Sequence, residues 1–125
     1  MRVETRLHRN GVLEGRRFAV RTEARAIVAF AEGRYPEAIA VYQAVLKREP
    51  RDVDAMTHLG LIVAIGGHAD TALETWDKAL GIDPEYAPAH LYRGEVLFEV
   101  KRDYPGAIQA WKRFVALVPE GKDTE

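Results

Sequence analysis

The residues best placed for chemistry are two carboxylates and two imidazoles. Glu95 and Glu99 stand four apart, a spacing that puts both on one face of a helix. Such a pair does general acid–base work only when a nucleophile and an orienting group converge on it, and neither accompanies them here. The 125-residue chain contains no Cys and no Ser, which excludes thiolate and seryl nucleophiles, disulfides and thiolate metal sites together. His58 and His90 fall near helix centres but share no spacing that converges on one metal. Neither HExxH nor the phosphate-cradling GxGxxG and GxxxxGK[ST] patterns occur. No catalytic residue, metal or cofactor is therefore expected. Glu95 and Glu99 read better as an acidic helix face, solvated or facing a partner's Lys or Arg.

The elements that must position these residues are bounded by composition. At 47% hydrophobic, 30% charged and a net charge of -1, the chain describes one soluble globular domain. Its most apolar stretch, residues 59–67, is about half the length of a membrane span. No charged segment followed by an apolar run opens the chain, so a secretory signal is not expected and a cytoplasmic location is. The charge is uneven. Residues 1–25 hold seven Arg against Glu4, Glu14 and Glu23, whereas the remainder is net acidic. That acidic body and a pI of about 6.4 argue against nucleic acid as partner.

A repeat sets the architecture. Ala38, Ala72 and Ala107 are spaced 34 and 35 apart, and Tyr42, Trp76 and Trp111 keep the same spacing, as do Pro50, Pro84 and Pro119. The third unit thus carries one extra residue, near Lys101–Gly106. Each unit reads as two helices. In the second, Asp52 or Asp54 is the expected N-cap, Gly66-Gly67 stops the first helix, and Pro84 ends the second. Between these, Ala72, Leu73, Trp76, Ala79 and Leu80 recur at helical spacing. The small residues Ala26, Gly60 and Gly94 are expected to let the second helix of each pair approach, with its aromatic filling the space between pairs. One pair cannot bury its apolar face alone, so the pairs must stack.

The spacing Met56-x2-Leu59-Gly60-x2-Val63…Ala72-x3-Trp76…Pro84 resembles the tetratricopeptide repeat. His90-x2-Arg93-Gly94-x2-Leu97…Ala107-x3-Trp111…Pro119 matches in register, and Thr22-x2-Arg25-Ala26-x2-Ala29…Ala38-x3-Tyr42…Pro50 matches more weakly. The expected fold is all-α: a right-handed solenoid of three helix–turn–helix repeats (19–52, 53–86, 87–119), with a basic arm at 1–18 and a polar tail at 120–125.

The resemblance implies a binding module whose concave face is lined by the first helix of each pair. Carried onto this chain, the family's contact positions are Glu23, Ile27 and Phe30, then Thr57, His58, Leu61 and Ile65, then Leu91, Tyr92, Glu95, Phe98 and Glu99. The best-known variant of such a groove clamps a terminal carboxylate with Lys, Arg and Asn; none of these stands at those positions here. What remains is apolar surface edged by acids, suited to a partner peptide or helix that combines apolar and basic residues. On this expectation Thr57, His58 and Tyr92 add directional hydrogen bonds, Leu61 buries a partner's apolar side chain, and Tyr92 and Phe98 are the leading anchors. Residues 54–65 are apolar nearly all round, as in a helix buried on every side, so some of this surface packs internally instead.

The arm carries Val3, Leu7, Val12, Leu13 and Phe18 among its Arg residues, and its sign opposes that of Glu23, Asp54, Glu95 and Glu99. Covering the groove, in the same chain or a neighbouring copy, is one use for it; a disordered leader is the other. At the far end, Phe114, Val115, Leu117 and Val118 lack a following helix. Self-assembly into a homo-oligomeric scaffold is therefore the alternative function.

Overall fold

The computed structural model describes residues 21–119; the expectations for the arm at 1–18 and the tail at 120–125 lie outside them. Among the described residues the structure is all-α. Helix α1 covers residues 21–31. It is followed by α2 (Tyr35–Arg48), α3 (Val53–Ile65), α4 (Ala69–Ile82), α5 (Ala87–Glu99) and α6 (Tyr104–Leu117). Successive helices pack as hairpins, α3 on α4 and α5 on α6. Each second helix also leans on the next first helix, and α3 touches α5.

The turns show why the chain breaks where it does. After α1 the amide of Arg34 reaches back to the carbonyl of Ala29 (2.8 Å), and after α3 that of His68 reaches Val63 (2.9 Å). Both closures require the preceding residue in the left-handed region, and glycine occupies it: Gly33 at φ 78° and Gly67 at φ 93°. After α5 the corresponding bond runs from Asp103 to Leu97, one residue wider, and Arg102 takes the left-handed position at φ 55°. The extra residue of the third unit therefore lies within 100–103. Asp52, rather than Asp54, caps α3, its Oδ1 accepting from the Ala55 amide at 3.0 Å. Asp103 caps α6 in the same way through Gly106 (3.0 Å). Helices α2, α4 and α6 all end two residues before the repeated prolines.

Two aromatic–glycine contacts lock the hairpins. Trp76 is fully buried, and its Nε1–H donates to the Thr57 carbonyl at 3.1 Å. A Cβ at Gly60 would sit only 2.5 Å from that nitrogen. The third repeat repeats the arrangement: Trp111 Nε1–H donates to the Leu91 carbonyl at 3.3 Å, and a Cβ at Gly94 would meet Nε1 at 2.3 Å. In the first repeat Ala26 and Tyr42, both buried, take these places. Around them lie two clusters. Ala26, Ala29, Tyr42, Ala55 and Ile62 tie the first repeat to the second, and Ala72, Trp76, Ala89 and Val96 tie the second to the third.

Trp76→Ala is expected to cost about 3–5 kcal/mol of folding free energy. Gly60→Ala should cost roughly 1–3 kcal/mol, because the indole cannot retreat. Gly81→Ala, where a methyl would meet open space inside α4, should instead raise stability by up to about 1 kcal/mol. Denaturant unfolding of the three variants checks the order.

Candidate functional site

Parallel first helices bring side chains distant in sequence onto one face, and at one end that face is acidic. Glu23 of α1 and Asp54 and His58 of α3 place one ligand atom each within 4.8 Å of one another. The His58 Nδ1–Glu23 Oε1 distance is 3.9 Å, with the two side chains 36% and 44% exposed. Tyr42 stacks beneath the imidazole, ring centroids 5.8 Å apart and planes 23° off parallel. Asp54 accepts a hydrogen bond from the Tyr86 hydroxyl at the start of α5. The shallow depression so formed is walled by Val45, Asp52 and Ala55.

Its electrostatics show in the phenols. Burial, then the charges of Glu23 and Asp54, pushes Tyr42 up to about 12. Burial and the hydrogen bond to Asp54 push Tyr86 up further. Both hydroxyls stay protonated at neutral pH. Two carboxylates this close to one another and to an imidazole form a cation-seeking cluster; a guanidinium or ammonium group donates to several such oxygens without a fixed polyhedron.

The expected contact residues divide into three groups. Ile27, Ile65 and Phe98 are exposed apolar side chains, 53%, 51% and 44% accessible. Glu95 and Glu99 are exposed as well. Phe30, Leu61, Leu91 and Tyr92 are half-buried. Phe30 lies against Tyr35 (5.6 Å), Tyr92 against Trp76 (6.1 Å), and Leu61 against the cluster around Trp76. Leu61 is thus partly core, so a charge there disturbs packing as well as any groove. Thr57 does not belong to the surface. It is 1% exposed, its hydroxyl donates to the Val53 carbonyl of its own helix at 2.8 Å, and its carbonyl holds the Trp76 indole. A hydroxyl satisfied inside its own turn can point inward, and no side-chain bond to a partner is available from it. Asp54 and Tyr86 complete the acidic end and were absent from the expected set. Family position alone does not report that the tyrosine capping α5, at the end of the same repeat, reaches back to Asp54.

The family profile described as tetratricopeptide repeat matches residues 23–87 and again 66–122. The chain belongs to the tetratricopeptide repeat family. As such it is a non-enzymatic protein–protein interaction module. Hsp70-Hsp90 organizing protein 3 of Arabidopsis thaliana is 26% identical over 94 residues, which cover 75% of this chain and 17% of that protein. The chain thus spans less than a fifth of that curated relative. Among solved structures, the TPR2B domain of yeast Sti1, in a complex named with pHsp70, superposes with a TM-score of 0.75 at 20% identity. The match covers 86% of this chain and 85% of that one. The first tetratricopeptide domain of Spaghetti, bound to the HSP90 peptide SRMEEVD, gives 0.74 at 20% identity, over 82% and 81%. No helix among the described residues is long and apolar enough to cross a membrane.

Because an unfolded phenol releases its proton at 10.0 and folded Tyr42 holds its own to about 12, the fold should lose stability as pH climbs through that interval. Tyr42→Phe is expected to flatten this stretch of the stability–pH curve, as read by denaturant midpoints between pH 9 and pH 12.

Proposed function

We propose that the concave face binds a partner segment that sets one or more basic residues on Glu23 and Asp54 and lays apolar side chains over Ile27, Ile65 and Phe98. The observation that carries this reading is the cluster of Glu23, Asp54 and His58 across α1 and α3, two helices that also expose Ile27 and Ile65. The peptide SRMEEVD held by the Spaghetti domain is net acidic. Glu23, Asp54, Glu95 and Glu99 disfavour a ligand of that sign and favour the opposite one. Exposed charge pairs contribute modestly, so the apolar contacts supply most of the affinity and the carboxylates choose the partner.

A second use of the same face is favoured by charge. Glu23 lies in the first turn of the described α1, and the residues just before it in sequence include Arg16, Arg17 and Arg21. The basic arm, residues 1–18, is complementary to the acidic end in its own chain or in a neighbouring copy. The latter would make the protein a homo-oligomeric scaffold.

Two labelled peptides of equal length, alternating apolar residues with either Arg or Glu, distinguish these signs by fluorescence anisotropy. The Arg peptide should bind at least about tenfold more tightly, a difference of roughly 1.4 kcal/mol. Glu23→Lys/Asp54→Lys should reverse the order, and Ile27→Ser/Ile65→Ser should weaken the Arg peptide with little loss of stability. Tighter binding of SRMEEVD than of the Arg peptide would sink the reading. Deletion of residues 1–18 should raise affinity for the Arg peptide and the signal of a dye that reports exposed apolar surface. Light scattering across concentration separates arm exchange between copies from coverage within one chain.

A further inference from the structure

At two positions the third repeat departs from the pattern that the second keeps. Where α3 sets Met56, 3% exposed, and Leu59, packed in the first cluster, α5 sets His90 and Arg93. A cation thus stands where the preceding repeat has an apolar side chain of the core. The Arg93 side chain is only 33% exposed. A guanidinium drawn that far out of water needs acceptors for its N–H groups, or its burial is costly. Asp77 of α4 supplies one, its Oδ1 accepting from Nε at 2.9 Å. The terminal nitrogens of Arg93 have no hydrogen-bond partner among the described residues.

Around Arg93 lies a cavity of about 340 Å3 between α4 and α6. Asp77 and Leu80 of α4 form one wall, and Gln109 and Arg113 of α6 the other. His90 Nε2–H donates to the Pro84 carbonyl at 2.8 Å, which holds the end of the cavity closed against α5. On α4 the equivalents of Gln109 and Arg113 are Glu74 and Lys78, an i,i+4 pair of opposite sign. On α6 the acid is replaced by an amide, and Arg113 has no ion pair or hydrogen bond among the described residues. Two guanidinium groups against the one carboxylate of Asp77 leave a single positive charge over. That balance suits a monoanion; a phosphate dianion would exceed it and approach Asp77. A carboxylate also matches the planar guanidinium fork, which can donate two parallel bonds to it. Leu80, Pro84 and Ala110 offer apolar contact to the methylene groups that carry such a carboxylate.

We propose that this cavity is a second binding site, which takes the carboxylate of a Glu or Asp side chain from a partner protein. All of its walls lie between residues 77 and 113, inside the stack. It shares no residue with the concave face, so each reading stands or falls alone.

The probes are three capped pentapeptides that differ only at the central residue, Glu, Gln or phosphoserine, with Leu and Ala on either side. Titrated into the nitrogen-labelled full chain, the Glu peptide should shift the Nε–H resonances of Arg93 and Arg113. It should bind at least about threefold more tightly than the Gln peptide, the scale of an exposed charge pair. Arg93→Leu installs the residue that the second repeat uses at this place, so it should keep the fold and erase the preference. Arg113→Gln, at an exposed side chain, should erase it too. Asp77→Asn should tighten the Glu peptide, because Arg93 is then uncompensated, and Ile27→Ser/Ile65→Ser should change nothing. The proposal is overturned if the Glu and Gln peptides bind alike at millimolar concentration, or if the preference survives either arginine variant. Tightest binding of the phosphoserine peptide also overturns it, since the ligand is then a phosphate. So does a gain in Glu-peptide affinity on Glu120→Gln/Asp123→Asn/Glu125→Gln, since the occupant is then the chain's own tail. Self-association by light scattering that Arg93→Leu removes has the same force, since the occupant is then a second copy.

Discussion

Everything else in this fold depends on an indole lying across a glycine. The Trp76 ring occupies the volume a Cβ at Gly60 would need, and its one polar atom is satisfied by the Thr57 carbonyl a turn earlier. Burying a tryptophan releases a large apolar area, yet its N–H would be costly to strand, so the carbonyl is as necessary as the space. Together they fix the distance and rotation of α4 against α3. The same constraint recurs at Gly94 and Trp111. At Ala26 and Tyr42 a smaller ring meets a slightly larger residue, and contact is kept by trading volume across the pair. Since Thr57 immediately precedes His58, the bond that locks the core also sets the direction in which the imidazole leaves the helix.

The stack is not uniform along its length. Its first helices carry acids at one end of the concave face, Glu23 and Asp54, with phenols beneath and beside them that stay protonated. The outer faces of the end helices differ as well: α1 shows Arg21, Arg25 and Val28, whereas α6 shows Ile108 and Val115 beside Lys112.

Much of this was legible from spacing. Ala38, Tyr42 and Pro50 with their counterparts give the repeat, Gly66-Gly67 gives the turn after α3, and Ala26, Gly60 and Gly94 give the close approach. The extra residue of the third repeat was placed to within a few positions. The failures have one physical root: a family position records which face of a helix a residue is on, not how far its side chain is satisfied there. Thr57 sits at a position where the first repeat has Glu23 and the third Leu91. Its hydroxyl bonds to its own helix, which makes burial inexpensive and takes it out of the groove. Leu61 is drawn toward Trp76 and becomes half core. Asp54 was seen only as an acid of the groove edge or as a cap. Its pairing with Tyr86 joins the two ends of the second repeat, which spacing does not reveal.

The division of labour between charge and apolar surface follows from exposure. His58 and Glu23 are more than a third accessible, so water and salt screen whatever approaches them, and a single pair formed there gains little net free energy. Ile27, Ile65 and Phe98 lose water on contact whatever the sign of the partner, at roughly 25 cal/mol per Å2 of apolar area covered. On the proposed reading, a partner with apolar residues alone would bind without selection, and one with basic residues alone would be held too weakly to persist. Selection arises because Glu23, Asp54, Glu95 and Glu99 penalise an acidic segment over the whole approach, while Ile27, Ile65 and Phe98 hold whatever is admitted. Specificity is then a difference in free energy between two segments of similar apolar content. A face with modest charges and modest apolar area can supply that difference without binding either segment tightly.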